Sequence, residues 1–183
     1  MSDQKSLVVA RYNEDVSWVD QFIDFDLYVY NKGDHLDREC VSLENINRES
    51  DTFLHHIINN YDQLTDYIVF CQGNPFDHCD LSTMIKSHTS GFFPLGDVFS
   101  CDGNGRPHDS GIDVSGTSDR IGIPSSDSYD FCVGAQYIVP SSMITNKPLE
   151  WWKNVKSVHD STDRAPWVFE RLWIKMFESN CNE

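Results

Sequence analysis

The stretch Leu7-Val-Val-Ala-Arg-Tyr-Asn-Glu-Asp15 is a short apolar run that turns polar just before a predicted helix. Its four consecutive apolar residues are typical of a central strand that is buried on both faces. Asn13 or Asp15 can cap the following helix. The apolar positions of that helix lie on one face: Val16, Val19, Phe22 and Ile23. Doubly wound α/β proteins begin with such a strand and helix, and they bind ligands outside the carboxyl ends of their strands. The residues from Arg11 to Glu14 are therefore candidate ligand contacts.

The rest of the chain alternates between strand-like and helix-like segments. Further strands are predicted at 27–30, at 67–71 and, as a strand pair or one kinked strand, at 131–139. Helices are predicted after a cap at Asn47 or Ser50 (stripe Phe53, Leu54, Ile57, Ile58 and Tyr61), around 148–157, and from Pro166 (stripe Phe169, Leu172, Trp173, Met176 and Phe177). This alternation predicts an α/β fold in which a mainly parallel sheet is flanked by helices, as a single compact domain over residues 1–183. The Gly-, Ser- and Asp-rich segment 87–128 has few periodic apolar residues and is long for a structureless loop, so it is predicted to be functional, partly mobile, or both.

Composition and charge narrow the classes of partner. A chain of 183 residues with 39% hydrophobic residues is long enough for one buried core. Its net charge of −15 argues against binding nucleic acid or an anionic membrane surface. No apolar run approaches the roughly 20 residues that span a bilayer, and the first residues do not resemble a signal peptide. We therefore expect a cytoplasmic protein whose six cysteines, at positions 40, 71, 79, 101, 132 and 181, are reduced.

Polar residues follow three of the predicted strands, in the segments 11–14, 31–32 and 72–80. In a parallel sheet these three ends converge on one edge. In the last segment, Asp77, His78 and Asp80 are competent metal ligands beside Cys79. Other residues could complete such a shell: His55, His56, His108 and Asp109. The pairs Asp24/Asp26 and Asp102/Asn104 also have a spacing suited to a cation. No recognised metal-binding spacing occurs, and neither a P-loop nor a nucleophile elbow is present. A metal-dependent hydrolase or phosphoesterase is thus one alternative, and a non-catalytic carbohydrate-binding module is another.

Glu170 is the candidate general base. It lies at the edge of the aromatic stripe of the last helix, while the helical wheel points Arg171 the opposite way. A carboxylate against aromatic rings loses hydration, which raises its pKa and makes it a better base near neutral pH. The alternative is a rim glutamate whose carboxylate reaches water.

Six ordered motifs resemble an uncharacterised domain family of fungi, algae and large viruses. They are Arg11-Tyr-Asn-Glu-Asp15, Tyr30-Asn-Lys-Gly33, Asn47-Arg-Glu49 with Thr52-Phe-Leu-His-His-Ile57, Gln72-Gly-Asn-Pro-Phe-Asp-His78, Gly134-Ala-Gln136 and Pro166-Trp-Val-Phe-Glu-Arg-Leu-Trp173. The order of strands and the late Glu-x-x-Trp helix are also distantly similar to the core-2 type N-acetylglucosaminyltransferases. Those enzymes have the Rossmann-like GT-A fold, invert the anomeric centre and work without a metal-binding Asp-x-Asp motif.

This resemblance implies transfer of a sugar from a nucleotide-sugar donor to a hydroxyl of a glycan or protein, with Glu170 as base. No cofactor is required on this reading, although Mn²⁺ or Mg²⁺ is an alternative. Without a metal, arginine and lysine must stabilise the departing diphosphate. We expect the diphosphate near Lys32 and Arg48, a ribose hydroxyl on Glu14, and the sugar or acceptor beside Asp77 and His78. Arg120 or Arg164 could close over the phosphates. The predicted substrate-binding set is Arg11, Asn13, Glu14, Lys32, Arg48, Gln72, His78, Gln136 and Arg171, with Asp77 and Glu170 catalytic.

Overall fold

The computed structural model describes residues 3–179, which form one mixed α/β domain with a mostly parallel central sheet. The strands are β1 Lys5–Arg11, β2 Asp26–Asn31, β3 Val41–Ser42, β4 Tyr67–Gln72, β5 Phe93–Pro94, β6 Val98–Cys101, β7 Tyr129–Cys132 and β8 Tyr137–Pro140. The helices are α1 Arg48–Asn60, α2 Leu81–Ser87, α3 Val114–Arg120, α4 Ser141–Thr145, α5 Leu149–Asp160 and α6 Ala165–Glu178. Position 181, one of the six cysteines, lies outside the described residues.

The main sheet has the strand order β3-β2-β1-β4-β8-β5. The first four strands in that order are parallel, with Val9 opposite Val29 on one side and Cys71 on the other. Strand β8 runs antiparallel to β4, and β5 runs antiparallel to β8. The start of β8 therefore lies beside the end of β4, with Tyr137 opposite Phe70. Strands β6 and β7 form a separate antiparallel pair.

Helices cover both faces of the sheet because successive residues of a strand point to opposite sides. Val8 and Phe70 face α1, α5 and α6 in the larger core. Leu7 and Val9 face the opposite layer, which includes α2 and the segment after β1. All four of these residues are buried on one face or the other, which explains the continuous apolar runs of β1 and β4.

One sequence prediction about local structure is wrong. The helix predicted after Asp15 is a single 3₁₀ turn, Ser17–Gln21, and Ile23 is 86% exposed. Asp15 accepts hydrogen bonds from Ser17, which closes a tight turn instead of capping an α-helix. The segment 87–128, for which no elements are predicted, contains β5, β6 and α3.

Two other expectations agree with the structure. The five described cysteines are all free thiols. No described helix has the length and apolar character needed to cross a membrane.

Candidate functional site

A cleft of about 430 Å³ opens at the carboxyl ends of β1, β2 and β4. Its lining comes from these strand ends and from the start of α1: Ala10, Arg11, Tyr12, Glu14, Lys32, Asn45, Arg48, Glu49 and Gln72. The parallel arrangement brings together polar residues that are up to 61 positions apart, from Arg11 to Gln72. The predicted meeting of these three strand ends at one edge is thus seen in the fold.

Arg11 holds the loops of the cleft together. Its Nε donates to the carbonyl of Glu14 at 3.0 Å, and its Nη1 donates to Asn31 Oδ1 at 2.5 Å and to the carbonyl of Asp34 at 3.0 Å. Only 7% of the residue is exposed. Arg11 therefore shapes the cleft wall, and most of its hydrogen-bonding capacity is taken by the protein itself.

Lys32 is engaged in the same way. Its ammonium donates to the carbonyls of Ile46 and Arg48 at 2.6 and 2.8 Å, and to Asp51 Oδ2 at 2.7 Å. Three acceptors match the three hydrogens of the ammonium group. Burial lowers the pKa of Lys32, while the bonded Asp51 carboxylate partly opposes that shift. Lys32 thus fixes the loop before α1 and contributes its positive charge to the cleft at a distance.

Arg48 is the cation of the cleft that remains available. Its guanidinium lies 5.3 Å from the ring centroid of Trp167, and Arg164 lies at the same distance from that ring. Arg164 also binds the Asp109 carboxylate at 2.9 and 3.1 Å. Over residues 3–179, the structure gives the Arg48 guanidinium no hydrogen bond and no carboxylate partner. In a chain with a net charge of −15, this is the group best placed to bind an anion.

Glu170 is positioned by the turn between β7 and β8. Its Oε1 accepts from the backbone N–H of Gly134 at 3.0 Å, and its Oε2 pairs with Arg171 Nη1. Gln72 donates to the carbonyl of the same Gly134 at 3.0 Å, which ties the carboxylate to the cleft. A Cβ at position 134 would lie 2.5 Å from the His78 ring, so this glycine permits the close approach.

The prediction that Arg171 points away from Glu170 is wrong. The side chain of Arg171 is 6% exposed, its guanidinium lies 4.4 Å from the Phe131 ring centroid, and it reaches back to Glu170. A helical wheel gives the direction of the Cα–Cβ bond only, whereas a long arginine side chain can curl towards a neighbouring carboxylate. The contacts with Gly134 and Arg171 fix the orientation of the Glu170 carboxylate.

Glu49 is a cleft residue that the sequence reasoning missed. It lies in the first turn of α1, and burial raises its pKa to about 7, with a further contribution from the Glu170 carboxylate. The available signal was its spacing, since Glu49 precedes the buried Phe53 by four residues and so shares its face of the helix. Glu49 therefore lines the cleft within the electrostatic influence of the Glu170 carboxylate.

The outer wall of the cleft is more open. Tyr12 is 51% exposed, and its backbone N–H donates to Glu14 Oε2 at 2.7 Å. The other carboxylate oxygen of Glu14 accepts no bond from residues 3–179, which suits the ribose contact predicted for it. Asn13 does not line the cleft, and its Oδ1 accepts from the Asp34 N–H at 2.7 Å.

The segment after β4 supports the site mainly through its backbone and through Gln136. Gln136 is fully buried, and its Nε2 donates to the carbonyl of Pro75 at 3.2 Å. It therefore braces the turn and is not accessible to a substrate. Asp77 and His78 are exposed, and Asp80 caps α2 by accepting from Thr83 N–H at 3.2 Å.

The predicted metal ligands Asp77, His78 and Asp80 are not gathered around one point. Within residues 3–179, the only three His, Cys or acidic side chains whose ligand atoms lie within 4.8 Å of one another are Asp51, His159 and Asp160. Lysines already neutralise that group, since Lys156 binds both aspartates and Lys32 binds Asp51.

The other candidates have structural partners elsewhere. His56 is buried against Tyr30 Oη at 3.0 Å, and burial lowers its pKa to about 3. His108 packs on Phe99, and Arg120 binds Ser161 at 2.6 Å, away from the cleft lining. Asp102 accepts the backbone N–H groups of its own turn.

Backbone strain is concentrated around the site. In the described part of the chain, four non-glycine residues have positive φ: Asn47, Arg48, Ala135 and Arg164. Two of them begin α1 at the cleft, one follows the glycine that binds Glu170, and the fourth contacts Trp167. Such conformations cost about 1–3 kcal/mol each and tend to occur at functional sites. Their placement is an independent indication that this edge of the sheet carries the function.

Comparison with known proteins gives one match. Residues 7–90 match the model of a family described as "Protein of unknown function (DUF3431)". The matched segment runs from β1 through α2, so it includes the whole cleft lining but not Glu170. No curated protein and no solved structure matches the chain.

Proposed function

We propose that the protein is a metal-independent glycosyltransferase with a GT-A-like fold, which moves a sugar from a nucleotide-sugar donor to a hydroxyl acceptor with inversion. The observation that carries the proposal is the position of Glu170. Its carboxylate is oriented by Gly134 and Arg171 and is linked through Gly134 to Gln72 in the cleft wall. A base held on two sides beside a cleft at the strand ends suits deprotonation of an acceptor hydroxyl.

The charges of the cleft suit a nucleotide diphosphate. Arg48 supplies a guanidinium without a carboxylate partner in the described chain, whereas Lys32 is paired with Asp51 and holds the loop before α1. The Arg48 guanidinium can stabilise the negative charge that develops on the leaving diphosphate. Glu14 and the exposed Tyr12 ring border the part of the cleft at β1, where a ribose and its base would lie.

The first experiment is a thermal-shift screen with UDP-, GDP- and CMP-linked sugars. A donor at 100 times its dissociation constant should add about 2.7 kcal/mol to the free energy of unfolding. If no donor shifts the melting temperature, the proposal is wrong.

The second experiment is Glu170→Gln, with release of the nucleoside diphosphate as the readout. We expect transfer to fall about 10²–10⁴-fold, because the amide cannot take the acceptor proton, while donor affinity stays close to that of the wild type. Glu178→Gln is the matched control, since Glu178 is an exposed carboxylate on the same helix. Unchanged turnover in Glu170→Gln would remove this residue from the mechanism, and donor binding without any transfer would indicate a binding module.

A further inference from the structure

Glu49 on α1 lines the cleft, the carboxylate of Glu170 on α6 is tied to the cleft wall through Gly134, and the two carboxyl groups have unequal partners. Glu170 on α6 receives a backbone N–H at 3.0 Å and an arginine. Glu49 on α1 has no cation bonded to it in the described chain, since the Lys32 ammonium is occupied by three other acceptors. The two helices pack through Phe53 and Trp173, whose ring centroids are 5.9 Å apart. The two carboxyl groups therefore differ in their partners, since Glu170 has a backbone N–H and an arginine, whereas Glu49 has no bonded cation in the described chain.

A third polar group lies close to this pair. Tyr137, on β8, is fully buried, and its hydroxyl faces the backbone of Cys132. Burial raises the pKa of Tyr137, and the charges of Glu170 and Glu49 add to the shift. Tyr137 therefore stays neutral and adds no charge to the site. Such a site favours one negative charge over two.

We propose that Glu49 enters the reaction as a carboxylic acid and gives its proton to the phosphate that leaves the donor, opposite Glu170 as the base. This inference rests on the proposed function. In the step, the acceptor oxygen forms a bond to the anomeric carbon as the bond from that carbon to the diphosphate oxygen breaks. The acceptor proton goes to Glu170, and the Glu49 proton goes to the departing phosphate oxygen.

The surroundings of Glu49 agree with this role. Burial and the Glu170 carboxylate raise its pKa to about 7, whereas Arg48 and Lys32 oppose the shift. The titratable and charged groups that face it or share its cleft are Arg11, Tyr12, Glu14, Lys32, Arg48, Tyr137 and Glu170. Because the Arg48 guanidinium has no bonded partner in the described chain, a neutral acid beside it adds a hydrogen-bond donor for the phosphate without adding negative charge.

The test is the affinity for UDP and for GDP, measured by calorimetry between pH 6 and pH 8.5. In the wild type, the affinity should fall about tenfold between pH 6 and pH 8, because Glu49 loses its proton over this range. In Glu49→Gln, which keeps a neutral group of the same shape, this loss should be absent. The phosphate of the nucleotide also titrates, but this effect cancels when the affinity of the wild type is divided by that of Glu49→Gln for the same nucleotide. Glu44→Gln is the control, since Glu44 is an exposed carboxylate five positions earlier.

Each outcome separates this inference from the proposed function. If Glu49→Gln follows the wild type at every pH while transfer is observed, the role of Glu49 is wrong and the transferase stands. If the pH-dependent ratio is found but no sugar is transferred, the proposed reaction is wrong, and Glu49 is only a phosphate ligand. If neither nucleotide binds, both ideas fail. Glu49→Ala, which lacks the donor altogether, should bind weakly at every pH, and strong binding by this variant would also contradict the inference.

Discussion

At the scale of single residues, three cationic side chains of the cleft look equivalent in the sequence but have different partners in the fold. Arg11, Lys32 and Arg48 each lie in a polar motif next to a predicted strand or helix. The structure shows that backbone carbonyls and buried acceptors take up the first two. No local pattern predicts this, because the acceptors come from loops that are up to 23 residues away along the chain. Which cation is left for a ligand is a property of the folded loops.

The burial of Glu49 has a consequence for stability that needs no ligand. The pKa of Glu49 is raised from its ordinary value of 4.5 to about 7 in the fold, so the folded protein binds this proton more tightly than the unfolded chain does. The contribution of protonated Glu49 to the free energy of unfolding is therefore complete below pH 4.5 and is lost as the pH rises through 7. We expect Glu49→Gln to be more stable than the wild type at pH 8 by about 1–3 kcal/mol, and close to it at pH 4.5.

Urea denaturation at these two pH values measures the effect. The exposed Glu44→Gln variant, which removes the same charge, should show little change with pH. A gain in Glu49→Gln that is the same at both pH values would mean that Glu49 is not the titrating group.

At the scale of elements, periodicity predicts the helices that carry the site. The stripes that include Phe53 and Trp173 mark α1 and α6, and both side chains are buried where these helices meet. Prediction fails after β1, where Asp15 and the apolar positions at a helical spacing belong to a 3₁₀ turn. There, hydrogen bonds from Ser17 to the Asp15 carboxylate stabilise a tight turn instead of a helix. The helical pattern in this segment has too few residues to be stable without packing.

The start of α6 contributes to the cleft through Trp167, which is 39% exposed and contacts the Arg48 guanidinium. This contact restricts the arginine, so Trp167→Ala should weaken UDP or GDP binding about two- to fivefold, since exposed cation–π contacts are worth about 0.5–1 kcal/mol. Trp167→Phe keeps an aromatic face and should retain most of the affinity. The melting temperature should change little, because the ring is partly in solvent. Full affinity in Trp167→Ala would show that the stack does not position Arg48.

At the scale of the whole molecule, the α/β class follows from the alternation of strands and helices, whereas the edge of the sheet does not. The pairing of β8 with β4 and β5 is antiparallel, and β5 is only two residues long. Such short segments carry no periodicity that distinguishes them from a loop, which is why the strands and the helix within segment 87–128 cannot be predicted. The periodicity of α6 places Glu170 on the last helix, but its hydrogen bond with Gly134 depends on the turn before β8.

The net charge of −15 sets a further property of the whole fold. Self-repulsion among excess carboxylates destabilises a compact state, and salt screens it. At pH 8, raising NaCl from about 10 mM to about 150 mM should raise the melting temperature by about 2–4 °C, which corresponds to about 1 kcal/mol for a domain of this size. Near the isoelectric point of about 4.6 the net charge vanishes, so the same salt step should have little effect there. Differential scanning calorimetry at both pH values makes the comparison, and an equal rise at both would show that salt acts on apolar burial and not on charge.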